Sequence, residues 1–280
     1  SLSSYARSAL STAQHLLVPR GLRLFGGGAQ AALAAYGVIQ GMSLPILLFP
    51  AALIAVIADL IVPELTEAQV QGRLRGLGYM LERLYRLGLF FSMAVAGACF
   101  FFAHPLGELI YSEPAAGQYI RLLAPLVPIM YMDTLVDGML KGVGEYRANM
   151  RYNIIDAATG LLLVWLLLPR YGVAGYLFSI SATELLNFAL SAARLTRVTV
   201  FRLQPLCWLL TAAAAVGGWW LLRLIFGRLL SRTGQPLILL LLVFLYLACY
   251  GAALLLCGAL RREELSWLFS LLRGEKSPKT

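Results

Sequence analysis

Long apolar runs set the pattern of this chain. They recur at lengths near the 17–25 residues that a helix needs to cross the hydrocarbon layer at about 1.5 Å per residue, and short polar or basic links separate them. Read in order, residues 1–24 form a first helix ending at Pro19-Arg20-Gly21. A glycine loop, Gly26-Gly27-Gly28, leads to a second helix over about 31–67, interrupted by Pro45, Pro50 and Pro63. Gln71–Arg86 reads as a polar, basic link, and a third span covers about 87–103. After a loop over His104–Gly117, span four runs over about 119–140, and the turn Gly142–Arg147 opens span five at about 151–168. Pro169-Arg170-Tyr171-Gly172 turns the chain into span six at about 173–193. A basic link, Arg194–Arg202, precedes spans seven (205–226) and eight (236–260). The fold class is therefore all-α: a polytopic membrane helix bundle of about eight transmembrane helices.

Composition agrees. Hydrophobic residues make up 60% of the 280, charged residues 13%, and the mean hydropathy is +0.76. A soluble domain does not reach these values. Residues 262–273 mix Leu265, Trp267, Leu268 and Phe269 with Arg262, Glu263, Glu264 and Arg273, too short and too charged to span. They predict an interfacial amphipathic helix, followed by a polar tail to residue 280. Ser1 already lies in a helical pattern and is no initiator Met, so the chain is expected to begin inside a span of a longer protein.

The formal charge of +9 and pI of 9.6 raise the question of nucleic acid. Placing the links alternately on two sides answers it. Fifteen of the 23 Lys and Arg fall on one side with the C-terminal tail, among them Arg73, Arg83, Arg147, Arg194 and Arg261. That is positive-inside bias; it predicts a plasma-membrane protein with a cytoplasmic C-terminus and no nucleic-acid partner. Cys99, Cys207, Cys249 and Cys257 sit inside apolar spans with no CxxC spacing and read as small packing residues. HExxH, GxSxG and dense His/Asp groupings are missing from the sequence, so it gives no support for an enzyme, a metal site or a cofactor.

Candidate chemistry lies in charges that a lipid-facing helix could not keep. Asp133 and Asp137 fall in span four, Asp156 in span five and Glu184 in span six. Each carboxylate at mid-span costs roughly 2.5–3.5 kcal/mol on insertion scales. Asp133, Asp137 and Lys141 share one helix face, while Asn153 with Asp156 and Glu184 with Asn187 repeat at i, i+3. Arg7 lies about 18 Å along its helix from Pro19, which puts it in the same layer, between the midplane and the cytoplasmic side. Arg7, Asp133, Asp137, Asn153, Asp156, Glu184 and Asn187 are therefore the expected lining of a polar cavity. The ordinary readings stand beside it: Asp137 with Lys141 as a helix-end ion pair, Asp156 at a helix N-terminus, Arg7 with Glu184 as a buried structural pair. The excess of acid over base makes a cation or proton a candidate coupling partner.

Several stretches are similar to one family: "SSYARSALST", "LLVPRGL", "YGVIQGMSLPILLFPAALI", "LIVPEL", "DGMLKGVGEYRANMRYNIIDA", "WLLLPRYGVAGY" and "TELLNFAL". In collinear order over most of residues 1–200, they resemble the second half of the stage V sporulation protein B-like polysaccharide-biosynthesis flippases. These belong to the multidrug/oligosaccharidyl-lipid/polysaccharide exporter superfamily. The resemblance implies two six-helix lobes around a central cavity, rocking for alternating access. Residues 1–199 would be the second lobe, 200–260 two additional transmembrane helices and 261–280 the interfacial helix and tail, with the first lobe preceding Ser1. The implied partner is a lipid-linked saccharide in a lipid bilayer, plausibly a peptidoglycan precursor. Its diphosphate calls for cavity arginines, of which only Arg7 matches. A drug or cation antiporter of the same superfamily and a non-transporting scaffold are the other readings.

Overall fold

The computed structural model describes residues 2–25, 28–201, 204–230 and 235–256; for residues 2–7, 11, 15, 74, 75 and 228–230 the description is limited to the backbone. The predicted interfacial helix and tail, Cys257 and the glycines at 26 and 27 lie outside the described residues. Helices, joined by short turns, account for the chain in the order α1 (Leu2–Arg23), α2 (Ala29–Val38), α3 (Leu44–Leu48), α4 (Ala51–Val70), α5 (Leu74–Phe101), α6 (Ala103–Tyr111), α7 (Pro114–Leu123), α8 (Val127–Gly142), α9 (Tyr146–Val198), α10 (Pro205–Leu230) and α11 (Pro236–Leu256). Among the described residues there is no strand, and the molecule is a polytopic all-α bundle.

Among the described residues, six segments are long and apolar enough to cross a membrane: 29–48, 76–101, 114–142, 146–198, 205–227 and 236–256. The fourth holds two of the expected spans, because the 53 residues of α9 are broken at Gly172. The expected first span exists as α1, but its serines and Gln14 keep it more polar than that set.

Proline shapes the segment from Ala29 to Val70. Pro45 has no N–H to give and its ring crowds the preceding turn. The helix widens to π geometry over Ile39–Ser43, just ahead of it. Phe49 and Pro50 form a second interruption, where Ala52 and Leu53 bond back three residues to Phe49 and Pro50. Pro63, expected to interrupt as well, lies inside α4.

Two predicted loops are helical instead. The basic link Gln71–Arg86 contains the first turns of α5, which starts at Leu74. Leu77, Leu81, Leu84 and Tyr85 recur at helical spacing there and are buried, a stripe that the surrounding arginines mask in a hydropathy average. The loop expected over His104–Gly117 is an α6–α7 helical pair. Its turn is only Ser112 (φ 54°) and the extended Glu113, followed by Pro114 in the first turn of α7, where its missing N–H is harmless.

The core is built around α8. Tyr131, Met132, Leu135, Val136, Met139 and Leu140 are at most 1% exposed. Close approach to α4 needs a residue without a side chain at Gly138, where an added Cβ would lie 2.7 Å from Ala58 Cβ. Thr66 Oγ1 fastens the lower end of that contact by donating to the Gly142 carbonyl at 3.0 Å. On the far side α10 and α11 lie against α5. Trp208 Nε1 donates to Tyr85 Oη at 3.0 Å, Tyr250 Oη donates to the Phe90 carbonyl at 3.0 Å, and Phe101 stacks on Trp219 with centroids 4.5 Å apart. Cys99, Cys207 and Cys249 are buried, the first and last free thiols in apolar packing.

Gly172 turns α9 back on itself with φ 54° and ψ −129°, a combination that L side chains avoid. The Phe25 ring also stands 3.0 Å from where a Cβ would sit. Gly172→Ala is therefore expected to destabilise the folded protein by about 1–3 kcal/mol, whereas Arg170→Ala, at an exposed position beside it, should stay within about 0.5 kcal/mol. Thermal unfolding of the detergent-solubilised protein measures both; equal midpoints would refute the strain.

Candidate functional site

The Gly172 turn sets the two arms of α9, residues 146–171 and 173–198, side by side against one face of α8. Apolar packing dictates which face. The buried positions of α8 fall on the side turned to α4 and α5, which leaves Asp133 and Asp137, one turn apart, on the side turned to α9. Both are half-buried.

Hydrogen bonds tie the three helices together in layers. In the layer nearer the helix ends, Asp137 accepts from two directions, Asn153 Nδ2 to Oδ2 at 3.1 Å and Ser191 Oγ to Oδ1 at 3.2 Å. Asn149 Nδ2 donates to the Asp137 backbone carbonyl at 3.2 Å, and its own Oδ1 accepts from Asn153. One turn further in, Asn187 Nδ2 donates to Asp133 Oδ2 at 2.8 Å. Asp156 and Glu184 stand on the two arms of α9, one turn from Asn153 and Asn187 on the same helix faces. Asn149, Asn153, Asn187 and Ser191 are buried; Asp156 and Glu184 are half-buried.

Beyond the acids the polar seam continues to α1. Gln14 holds its amide over Gly160, where a Cβ would meet both terminal atoms at 3.3 Å, and the Thr183 methyl lies 3.4 Å from the same point. Gly21 meets Leu168 further along, so α1 and the first arm of α9 run parallel. Counting back seven residues on both helices puts position 7 of α1 level with Asn153, on the face that carries Gln14. The side chain of Arg7, and with it the expected pairing with Glu184, lies outside the described residues. At the opposite end Arg194 closes the seam by a bidentate pair with Glu145, Nε at 3.1 Å and Nη2 at 2.9 Å.

Six of the seven predicted residues thus converge: Asp133, Asp137, Asn153, Asp156, Glu184 and Asn187. Asp137 points into the seam, whereas Lys141, its expected helix-end partner, is exposed. Asn149, Ser191 and Gln14 were missed. Each is a neutral polar residue, cheap enough in a span to raise no flag by hydropathy. The i, i+4 spacing of Asn149 and Asn153 is the signal that could have found the first.

Two acceptors in the inner layer, Asp133 Oδ1 and Asn187 Oδ1, are buried with no hydrogen-bond donor among the described residues. Buried acceptors at that depth ask for a donor or a cation. The column can therefore take a proton, a small cation or the hydroxyl groups of a cargo. No group of three or more metal-ligating side chains with metal-site geometry occurs among the described residues.

A second polar contact lies beside the π turn of residues 39–43. Tyr176 Oη donates to Gln40 Oε1 at 2.9 Å, and the Tyr36 ring meets Tyr176 edge-on at 4.9 Å. It joins α2 to the second arm of α9, about two turns from Glu184 on the side of Gly172.

Comparison with known proteins gave two findings. A family described as MatE matches residues 23–166. Stage V sporulation protein B of Bacillus subtilis (strain 168) is 26% identical over 185 residues, which cover 65% of this chain and 36% of that protein. The chain thus spans about a third of the length of that curated relative. The family match covers α2 to α8 and the first arm of α9 as far as residue 166, including Asp133, Asp137, Asn153 and Asp156.

If Asn187 is what satisfies Asp133, Asn187→Leu costs about 1–3 kcal/mol by leaving a buried carboxylate short of a donor. Adding Asp133→Leu to it should cost less than the two single changes together. A double-mutant cycle by thermal unfolding gives the coupling, and additivity within about 0.5 kcal/mol would remove the link.

Proposed function

The chain belongs to the MatE family, and from that membership we propose that it forms part of a flippase that carries a lipid-linked oligosaccharide from the inner to the outer leaflet by alternating access. It is a multi-pass membrane protein. The single observation that carries the transport reading is the hydrogen-bonded column of acids and amides on α8 and α9. Such a column is costly in an apolar bundle unless it serves a passing solute or ion. The similarity to stage V sporulation protein B favours a saccharide-lipid cargo over other solutes. In this reading a first lobe faces α1, α2 and α9 across the cavity, and residues 1–199 form the second lobe, with α10 and α11 as an added pair. The C-terminus lies in the cytoplasm.

One observation favours a second reading, a cation-coupled multidrug exporter of the same superfamily. The column presents four acids, and the bases nearest in sequence, Lys141, Arg147 and Arg151, are exposed. A diphosphate would be repelled there, while a cationic drug would not. In the flippase reading these acids hold the coupling proton or cation, or bind sugar hydroxyls, and the diphosphate is met by Arg7 and by the opposing lobe.

Reconstitution of the intact protein in proteoliposomes separates the readings. Flippase activity predicts that a lipid-linked oligosaccharide becomes accessible on the opposite leaflet. Asp133→Asn and Glu184→Gln should lower that rate about tenfold or more at equal protein content. Full activity in both variants removes the column from the mechanism. Cation-driven efflux of a cationic dye with no movement of the saccharide lipid would favour the exporter.

A further inference from the structure

An open surface cleft of about 530 Å³ lies at the other end of the bundle from the acid column, lined by Phe100, His104, Gln118, Arg121, Leu122 and Pro125, all but Phe100 exposed. It exists because α6 and α7 touch backbone to backbone. A Cβ at Gly107 would meet Gly117 N at 2.5 Å, and one at Gly117 would lie 3.2 Å from His104 Nδ1. The contact lays the His104 ring along α7. Gln118, Arg121, Leu122 and Pro125, spaced i, i+3, i+4 and i+7, supply one wall, and Phe100 at the end of α5 supplies another.

The lining has a definite chemistry. Arg121 holds its guanidinium carbon 5.1 Å from the Phe100 ring centre and has no carboxylate partner among the described residues. The acids on α6 and in the α6–α7 turn are the exposed Glu108, one turn beyond His104, and Glu113, just ahead of α7. Arg121, His104 and Gln118 are exposed and can donate hydrogen bonds. Phe100, Leu122 and Pro125 add an apolar floor. A guanidinium fork beside further donors fits the oxygens of a phosphate, and the floor fits the ester substituent next to it.

We propose that this cavity binds the phosphate group of an anionic headgroup at the membrane face opposite the acid column. An arginine at a span end that merely snorkels would attract any lipid surface without preference; a built site discriminates by the phosphate and depends on its neighbours. The proposal does not rest on the flippase reading, because the cavity shares no residue with the column.

Native mass spectrometry of the intact protein in detergent tests it with three probes: dihexanoyl phosphatidic acid, dihexanoyl glycerol and inorganic phosphate. Phosphatidic acid should bind and the glycerol, which lacks the phosphate, should not. Arg121→Gln should weaken binding roughly tenfold, the loss of one charged hydrogen-bonding partner. Gln118→Leu, at an exposed position, should weaken it less, and Arg223→Gln should leave it unchanged. Arg223 is a matched control, an exposed guanidinium 5.7 Å from the Trp220 ring on α10, outside the cavity. Competition by inorganic phosphate at equal concentration supports the site with a free anion as its occupant; failure to compete supports the lipid ester. Equal binding of the glycerol, or equal binding of phosphatidic acid by Arg121→Gln, Gln118→Leu and the unaltered protein, overturns the proposal.

Discussion

Polar groups inside an apolar bundle have to answer one another, and that requirement organises this molecule. An unpaired polar group in an apolar medium costs several kcal/mol, of the order of a domain's whole stability. The chain meets the cost by bringing three helical segments to one line. Asp137 accepts from the first arm of α9 through Asn153 and from the second through Ser191. Asp133 accepts from Asn187. Neither arm alone could satisfy the two aspartates, so the Gly172 reversal and the acids of α8 require each other.

Apolar packing does the aiming. Gly138 against Ala58 and the Thr66 bond to the Gly142 carbonyl hold α4 so close to α8 that α8 has no freedom to rotate. With its wide apolar face committed to α4 and α5, its aspartates can point only towards α9. The bidentate Glu145–Arg194 pair then clamps the start of the first arm to the end of the second. It is partly exposed, so its free energy is modest; its planar geometry fixes the relative height of the two arms, on which the hydrogen bonds above it depend.

Much of this was legible beforehand because cost is legible. Asp133, Asp137, Asp156 and Glu184 stand out in apolar sequence, and the i, i+3 and i+4 spacings fix which of their neighbours share a face. Pro169 to Gly172 announced the reversal of α9, although the reversal itself belongs to Gly172, since Pro169 lies inside the helix. Less visible were features with little hydropathy signal. The arginines around Leu77, Leu81 and Leu84 hid the first turns of α5, and the short α6 and α7 looked like a loop because neither could span alone. Asn149, Ser191 and Gln14 stayed silent for the same reason: a neutral amide or hydroxyl is tolerated in a span, and only the fold shows what it is paired with.

Half-buried acids mark one end of the bundle and an exposed arginine and histidine the other, and in the transport reading that placement bears on the cycle. The acids cluster at the end where Arg73, Lys141, Arg147 and Arg194 gather outside the core, while Arg121 and His104 line the cavity at the other. A phosphate-bearing solute moving along α8 and α9 would meet repulsion at the acid column unless a proton or cation neutralised it first. Loading the column would lower that barrier and unloading it would restore it. In the flippase reading coupling would need no separate gate here, because the acids proposed to hold the ion are the ones that would oppose the cargo. A neutral sugar could rest against the same acids and amides by hydrogen bonding while its charged linkage stayed with bases elsewhere. Only the first route needs an ionisable group, so it gives the carboxylates of α8 and α9 a role that their amide counterparts could not fill.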